Sequence, residues 1–246
     1  MAGFVNLCIF SKTMESKIKM KILIVSATSL EIDQSVTYLN NQWKMIPGGN
    51  WESENHEINI LITGVGAFNT MYALMNCLKK SEYSLIIQAG IGGSYQKDKP
   101  LGFVYYLKTE RFGDVGIEEK NGDFTSLFDT PFMNKNEFPF VDGVLINPDT
   151  ELAKFLPCAN GITLNTVTGT NERAHKLCHH YPDIEIESME GAPFFYVCLK
   201  ENIPFMSLRS ISNYVEDRNK DNWMLNEAIE SLNNSLCELL NIIKEL

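Results

Sequence analysis

Short apolar runs rich in β-branched residues recur along the chain, and most are followed by a stretch with helical spacing. "MKILIVSA" (20–27), "EINILITGVG" (57–66), "YSLIIQAGIGGSY" (83–95) and "PFMSLRSISN" (204–213) are the clearest runs. Consecutive apolar positions fit strands buried on both faces. "GFVYYLKTERF" (102–112), "GITLNTVTGT" (161–170) and "IEIES" add further strands. Helical spacing marks "SLEIDQSVTYLN", with Ser29 as its cap, and "AFNTMYALMNCLKK" (67–80). It also marks "NERAHKLCHHYP" (171–182), "GAPFFYVCLKEN" with Pro193 in its first turn, and a long amphipathic C-terminal segment. This alternation predicts an α/β fold: a single domain with a mixed, mainly parallel twisted sheet flanked by helices. The domain is expected to span 20–246, with 1–19 a poorly ordered extension and 113–143 a long loop.

Bulk properties remove several classes of function. Hydrophobic residues make up 44% of the 246, enough for a sizeable core. A net charge of −10 argues against a nucleic-acid partner, which would need clustered Lys and Arg. No apolar run reaches the ~18 residues of a membrane span. The six cysteines (8, 77, 158, 178, 198, 237) are scattered without a CxxC pair, which fits reduced thiols and a cytoplasmic location.

The common cofactor and metal signatures fail on inspection. "TGVGAFN" follows a strand and opens a helix, but Asn69 stands where a dinucleotide fingerprint needs its third glycine. It reads as a tight turn. His175 and His179 lie at i, i+4 without the H-E-x-x-H context of a zinc site, and read as a solvated helix face. Ser26 and Ser188 lack a nucleophile elbow. No cofactor and no metal are expected.

Ligands of such sheets bind at the carboxyl ends of the strands. Five clusters fall there: Ser26 to Glu31, Gly64 to Gly66, Gly90 to Gly93, Ser188 to Glu190, and Arg209 to Asn213. Taken singly, Glu31 reads as a surface helix residue, Glu190 as a charge favoured by a helix N-terminus, and Arg209 as a carboxylate's partner. "QAGIGG" alone reads as a tight turn that lets the backbone approach a flat ligand. Together the side chains make an acid-rich pocket with one cation. That chemistry suits a neutral, hydroxyl-bearing substrate and a positively charged transition state.

These motifs, in this order, resemble the nucleoside phosphorylase and nucleosidase superfamily over about 20–246. The branch they most resemble is futalosine hydrolase, with methylthioadenosine/S-adenosylhomocysteine nucleosidase as a cousin. "MKILIVSATSLE" is similar to the nucleosidase amino terminus, which places the water-activating base on Glu31. "QAGIGG" is similar to the stretch lying against the purine, here Ile91, Gly92 and Gly93. "IESMEGA" resembles the ribose-binding signature, with Ser188, Met189 and Glu190. "LRSISN" resembles the base-recognition strand end, with Arg209 holding Glu31 or the water and Asn213 meeting the base.

The resemblance implies hydrolysis of futalosine to hypoxanthine and dehypoxanthine futalosine, in menaquinone biosynthesis. It also implies a homodimer or higher homo-oligomer. Arg218, Arg111 and Lys220 are candidates to meet the substrate's benzoate. Glu187 is read as structural, because strand alternation sets it opposite Ser188. Two alternatives stay open: an adenine-releasing nucleosidase acting on methylthioadenosine, S-adenosylhomocysteine or aminodeoxyfutalosine, and a non-catalytic nucleoside-binding protein.

Overall fold

In the computed structural model the structure describes residues 19–148 and 151–246. The extension expected over 1–19 therefore lies, but for Lys19, outside the described residues. The strands are β1 (Met20–Ser26), β2 (Lys44–Ile46), β3 (Asn50–Glu52), β4 (His56–Ile62), β5 (Leu85–Ser94), β6 (Val104–Glu110), β7 (Gly116–Glu118), β8 (Phe124–Ser126), β9 (Phe140–Val141), β10 (Val144–Ile146), β11 (Cys158–Thr163), β12 (Ile186–Ser188) and β13 (Phe205–Tyr214). The helices are α1 (Asp33–Gln42), α2 (Ala67–Leu78), α3 (Asn171–His180), α4 (Gly191–Lys200) and α5 (Leu225–Lys244).

All strands but β7 and β8 join one mixed sheet, in the order β2-β3-β4-β1-β5-β12-β11-β6-β10-β9, with β13 pairing both β5 and β6. The long central pairings are parallel: β1 with β4, β1 with β5, and β13 with β5. The shorter pairings toward both edges are largely antiparallel. The α/β reading holds: one large mixed sheet carries helices on its faces, with β7 and β8 forming a separate two-stranded hairpin.

Alternation along β1 explains the layers. Ile22 and Ile24 face a core shared with Leu39 of α1 and with Leu232, Leu236, Leu239, Leu240 and Ile243 of α5. Leu23 and Val25 face the opposite core, built from Leu74 of α2 and from Phe194 and Phe195 of α4. Phe194 and Phe195 are fully buried, each worth roughly 1.5–3 kcal/mol relative to an exposed side chain. The apolar stripe of α5 recurs every three or four residues, which sets one face of the helix on the sheet.

Three expectations need correction. The glycine stretch 90–93 is not a turn: β5 runs through it to Ser94, because β13 pairs alongside it as far as Tyr214. Ser29 does not cap the first helix: it opens a 3-10 turn, Ser29–Glu31, that Thr28 caps through a capping box with Glu31, and α1 follows from Asp33 with Ile32 at its N-cap. The segment 113–143 is not only loop, since it carries the hairpin β7–β8 and strand β9. Among the described residues no helix is long and apolar enough to cross a membrane.

Candidate active site

The carboxyl ends of β1, β5, β12 and β13 surround a cavity of about 300 Å³. Nine of the ten site residues expected from the sequence line it, from Glu31 at one end to Asn213 and Arg218 at the other. The tenth, Arg209, is 1% exposed and lies behind the wall.

Glu31 follows the end of β1 by one short 3-10 turn, Ser29–Glu31. Its Oε2 accepts from Ser26 Oγ at 3.1 Å, Thr28 N at 2.9 Å and Thr28 Oγ1 at 3.0 Å. Its Oε1 accepts from the Ile91 amide at 3.2 Å. The backbone is fixed from the far end of the chain: Asn233 of α5 donates to the Glu31 carbonyl at 2.8 Å. Asn233 Oδ1 in turn accepts from Ser35 N at 2.8 Å and Ser35 Oγ at 2.6 Å. Sequence reading missed Asn233, because an asparagine on an amphipathic helix looks like any surface residue.

Glu190 caps α4 from the opposite wall. Its Oε1 accepts one bond, 2.9 Å from the Gly66 amide. Gly66 stands at φ 97°, a conformation open to glycine, and so turns its N–H into the cavity. The "TGVGAFN" turn is thus a tight turn that also holds an acid. Gln88 Nε2 donates to the Glu190 carbonyl at 3.2 Å, and Ser207 Oγ donates to Gln88 Oε1 at 3.0 Å. Burial raises the pKa of Glu190, Arg209 opposes that shift, and Glu31 adds to it.

Arg209 makes its hydrogen bond to the Leu208 carbonyl at 3.0 Å, and its charge lowers the pKa of both Glu190 and Glu110. A Cβ at Gly90 would lie 3.2 Å from Glu31 Oε1 and 3.4 Å from Arg209 Nη1, so the glycine lets the two approach each other. Glu110 is fully buried, and desolvation pushes its carboxyl up to about 8. It accepts from Thr163 Oγ1 at 3.0 Å, and the same hydroxyl receives the Ala192 amide at 2.7 Å. A Cβ at Gly191 would fall 1.8 Å from Glu110 Oε1, so the first residue of α4 has to be glycine.

At the other end, Asn213 pairs in register with Gly93. Its Oδ1 accepts from Ser212 Oγ at 2.8 Å, and its Nδ2 donates to the Tyr214 carbonyl at 3.0 Å. Arg218 is exposed and stacks on Trp223 at 5.0 Å. Of the other two candidate cations, Arg111 bonds Asp183 at 2.6 Å and lines a different cavity. Lys220 sits in the turn Lys220–Asn222, outside the lining.

Three acids, Glu31, Glu187 and Glu190, line this cavity at the strand ends. The model of the phosphorylase superfamily matches residues 158–246. Futalosine hydrolase of Streptomyces coelicolor is 29% identical over 191 residues, 76% of this chain and 80% of that protein. Methylthioadenosine/S-adenosylhomocysteine nucleosidase of Helicobacter pylori shares the fold at a TM-score of 0.75 and 21% identity, over 93% of this chain and 100% of that one. Futalosine hydrolase of the same organism shares it at 0.73 and 21%, over 92% and 98%. These likenesses place the fold among those of the nucleosidases, and residues 158–246 are similar to the phosphorylase superfamily.

Proposed function

We propose that the protein is a purine nucleosidase that hydrolyses the N-glycosidic bond of futalosine. The observation that carries this reading is the placement of Glu31 and Glu190 in one cavity with Asn213 at its other end. Glu31 takes a proton from water, and the hydroxide oxygen bonds to C1′ as the bond from C1′ to the purine breaks. Glu190, with one donor of its own, accepts from the 2′- and 3′-hydroxyls. Its charge favours the oxocarbenium character of the sugar. Met189 packs on the sugar. Asn213 Nδ2 donates to N7 or O6 of the departing hypoxanthine, which takes its proton from solvent.

Hydrolysis is favoured over phosphorolysis by the acid at Glu31, since a phosphate dianion beside it would be repelled. "SATSLE" also carries no arginine to receive phosphate. The sequence likeness to futalosine hydrolase over three quarters of the chain supports the substrate. Release in the cytoplasm and assembly as a homo-oligomer belong to the same proposal.

The test is incubation with futalosine, aminodeoxyfutalosine, methylthioadenosine and inosine, with and without phosphate, and identification of the released base by chromatography. Futalosine is expected to be cleaved at least about tenfold faster in kcat/KM than its adenine counterpart, a gap of roughly 1.4 kcal/mol. Equal cleavage would replace the reading with an adenine-releasing nucleosidase. A ribose-1-phosphate product would make the protein a phosphorylase.

A further inference from the structure

Glu110 is a buried acid that the hydrolysis above does not use. It ends β6, one of five strands whose pairings close a ring, β5-β12-β11-β6-β13. Arg209 stands on β13 of the same ring, and the two residues are 0% and 1% exposed. The Glu110 carboxyl lies against β11 and the start of α4, since a Cβ at Gly161 would fall 2.4 Å from its Oε1 and one at Gly191 closer still. Gly191 directly follows Glu190, the N-cap of α4. The charged groups that face Glu110 are Arg209 of β13 and Glu190 of α4. β11 offers it the Thr163 hydroxyl, and β10 pairs alongside with Leu145.

Three carboxyl groups share one guanidinium here, because Arg209 also approaches Glu31 across Gly90. Like charges in one desolvated cluster do not all ionise. Glu31 has four donors, and Glu190 takes the Gly66 amide and opens on the cavity. Glu110 has the Thr163 hydroxyl on Oε2 and no hydrogen bond on Oε1. Arg209 Nε is without one too, so these two atoms do not meet. The first amides of α4 would favour an anion at this end of the helix, but Ser188 Oγ takes one at 3.3 Å and Thr163 Oγ1 the next at 2.7 Å. A carboxylate with a bare oxygen costs more in the interior than a neutral carboxyl. Burial accordingly raises Glu110 to about 8, against the pull of Arg209.

We propose that Glu110 is the acid of this cluster that keeps its proton, a positioning residue whose neutrality leaves the Arg209 charge to Glu31 and Glu190. This rests on the nucleosidase reading above. An ionised Glu110 draws on the same guanidinium and weakens its hold on the two cavity acids. Base release therefore falls as pH rises past about 8. With a neutral amide in place of the acid, that fall is absent.

Glu110→Gln tests this, because it keeps the shape and the acceptor for Thr163 and cannot ionise. Its kcat/KM for futalosine should lie within about twofold of wild type near about pH 6.5 and about tenfold above it near about pH 9. The ratio of the two enzymes cancels any ionisation of the substrate. A folded variant with the wild-type profile would make Glu110 a structural support, and one crippled at the lower pH would make its charge the useful form. Either overturns the inference. Melting temperature follows the proton without turnover. The folded-state value is raised, so wild type should lose stability relative to Glu110→Gln as pH rises from the unfolded value near 4.5 to about 8, and the difference should then level off. A wild type that gains on the variant over that range would show an ionised Glu110 and overturn the inference. Should Glu110→Gln not fold, infrared spectra of Glu190→Gln, which lacks the other raised carboxyl, should show a protonated carboxyl at about pH 7 that is lost above about pH 9. Its absence at the lower pH would overturn the inference unaided. The two readings fail separately: the expected melting curves without cleavage of any nucleoside sink the nucleosidase alone. Cleavage with a pH profile that Glu110→Gln leaves unchanged sinks the role of Glu110 alone.

Discussion

Glu31 and Glu190, the two acids proposed to meet the water and the ribose, are held in opposite ways. Glu31 receives four donors from its own turn and from Ile91, and its carbonyl is clamped by a helix about 200 residues away. Glu190 receives the Gly66 amide on Oε1 and no side-chain hydroxyl among those described, and burial shifts it toward the neutral form. With three donors on Oε2 and one on Oε1, the Glu31 carboxylate is fixed in one orientation before any ligand arrives and keeps a lone pair on Oε1, which suits a group that must take a proton. An undersaturated one has acceptor sites left for ligand hydroxyls. The difference separates a residue placed for chemistry from one placed for binding.

The sharpest way to break that contrast is Glu31→Gln. The amide keeps the shape but cannot take a proton, and its NH₂ faces amides that donate to the acid. kcat should fall by a factor on the order of 10²–10⁴ with KM little changed, measured by steady-state base release. An unchanged kcat would remove Glu31 from the chemistry, however well its cage is built.

Glu190 should respond differently. Glu190→Ala removes the acceptor for two hydroxyls in a desolvated site, so KM and kcat should both suffer, by about 10²-fold in kcat/KM. A 2′-deoxy substrate should lose rate in wild type but little more in the variant. Equal rates on ribose and deoxyribose substrates in wild type would undo the ribose assignment. Stability should move the other way. Burial raises the folded-state pKa of Glu190, so the native state is penalised as pH rises from the unfolded value near 4.5 through the raised one. The melting temperature of Glu190→Gln should therefore gain on wild type as pH rises above about 4.5 and through the raised value.

Much of this site was legible before any coordinates, and the reason is geometric. Glu31, Glu190 and Asn213 each sit within a few residues of an apolar run, and a run long enough to be a buried strand ends at the ligand face of the sheet. The supports were not legible. Asn233 reaches Glu31 across 202 positions of sequence, and Gln88 reaches Glu190 across 102. No local spacing encodes either contact. The glycines of 90–93 read as a turn because glycine weakens strands, yet here each missing Cβ makes room for a neighbour. Strands β7 and β8 are three residues each, too short for a period of two to show.

The smallest effect should come from the mouth of the cavity, where the contrast between placement for chemistry and placement for binding fades into solvent. Arg218 lines the opening, is exposed, and rests on Trp223 at 5.0 Å. Among the three cations expected to meet a substrate carboxylate, it alone faces this cavity. An exposed ion pair is worth roughly 0.2–1 kcal/mol, so Arg218→Ala should raise KM for futalosine by no more than about fivefold and leave kcat unchanged. The loss should shrink further in high salt, which screens charges at the rim. Inosine carries no carboxylate beyond its ribose, so its KM should not respond. Arg218→Lys keeps the charge but gives up the planar stack on Trp223, and should fall between the two. A change in kcat on mutating Arg218, or an equal rise in KM for inosine, would show that the mouth shapes the reacting end of the cavity and is more than a charge at its rim.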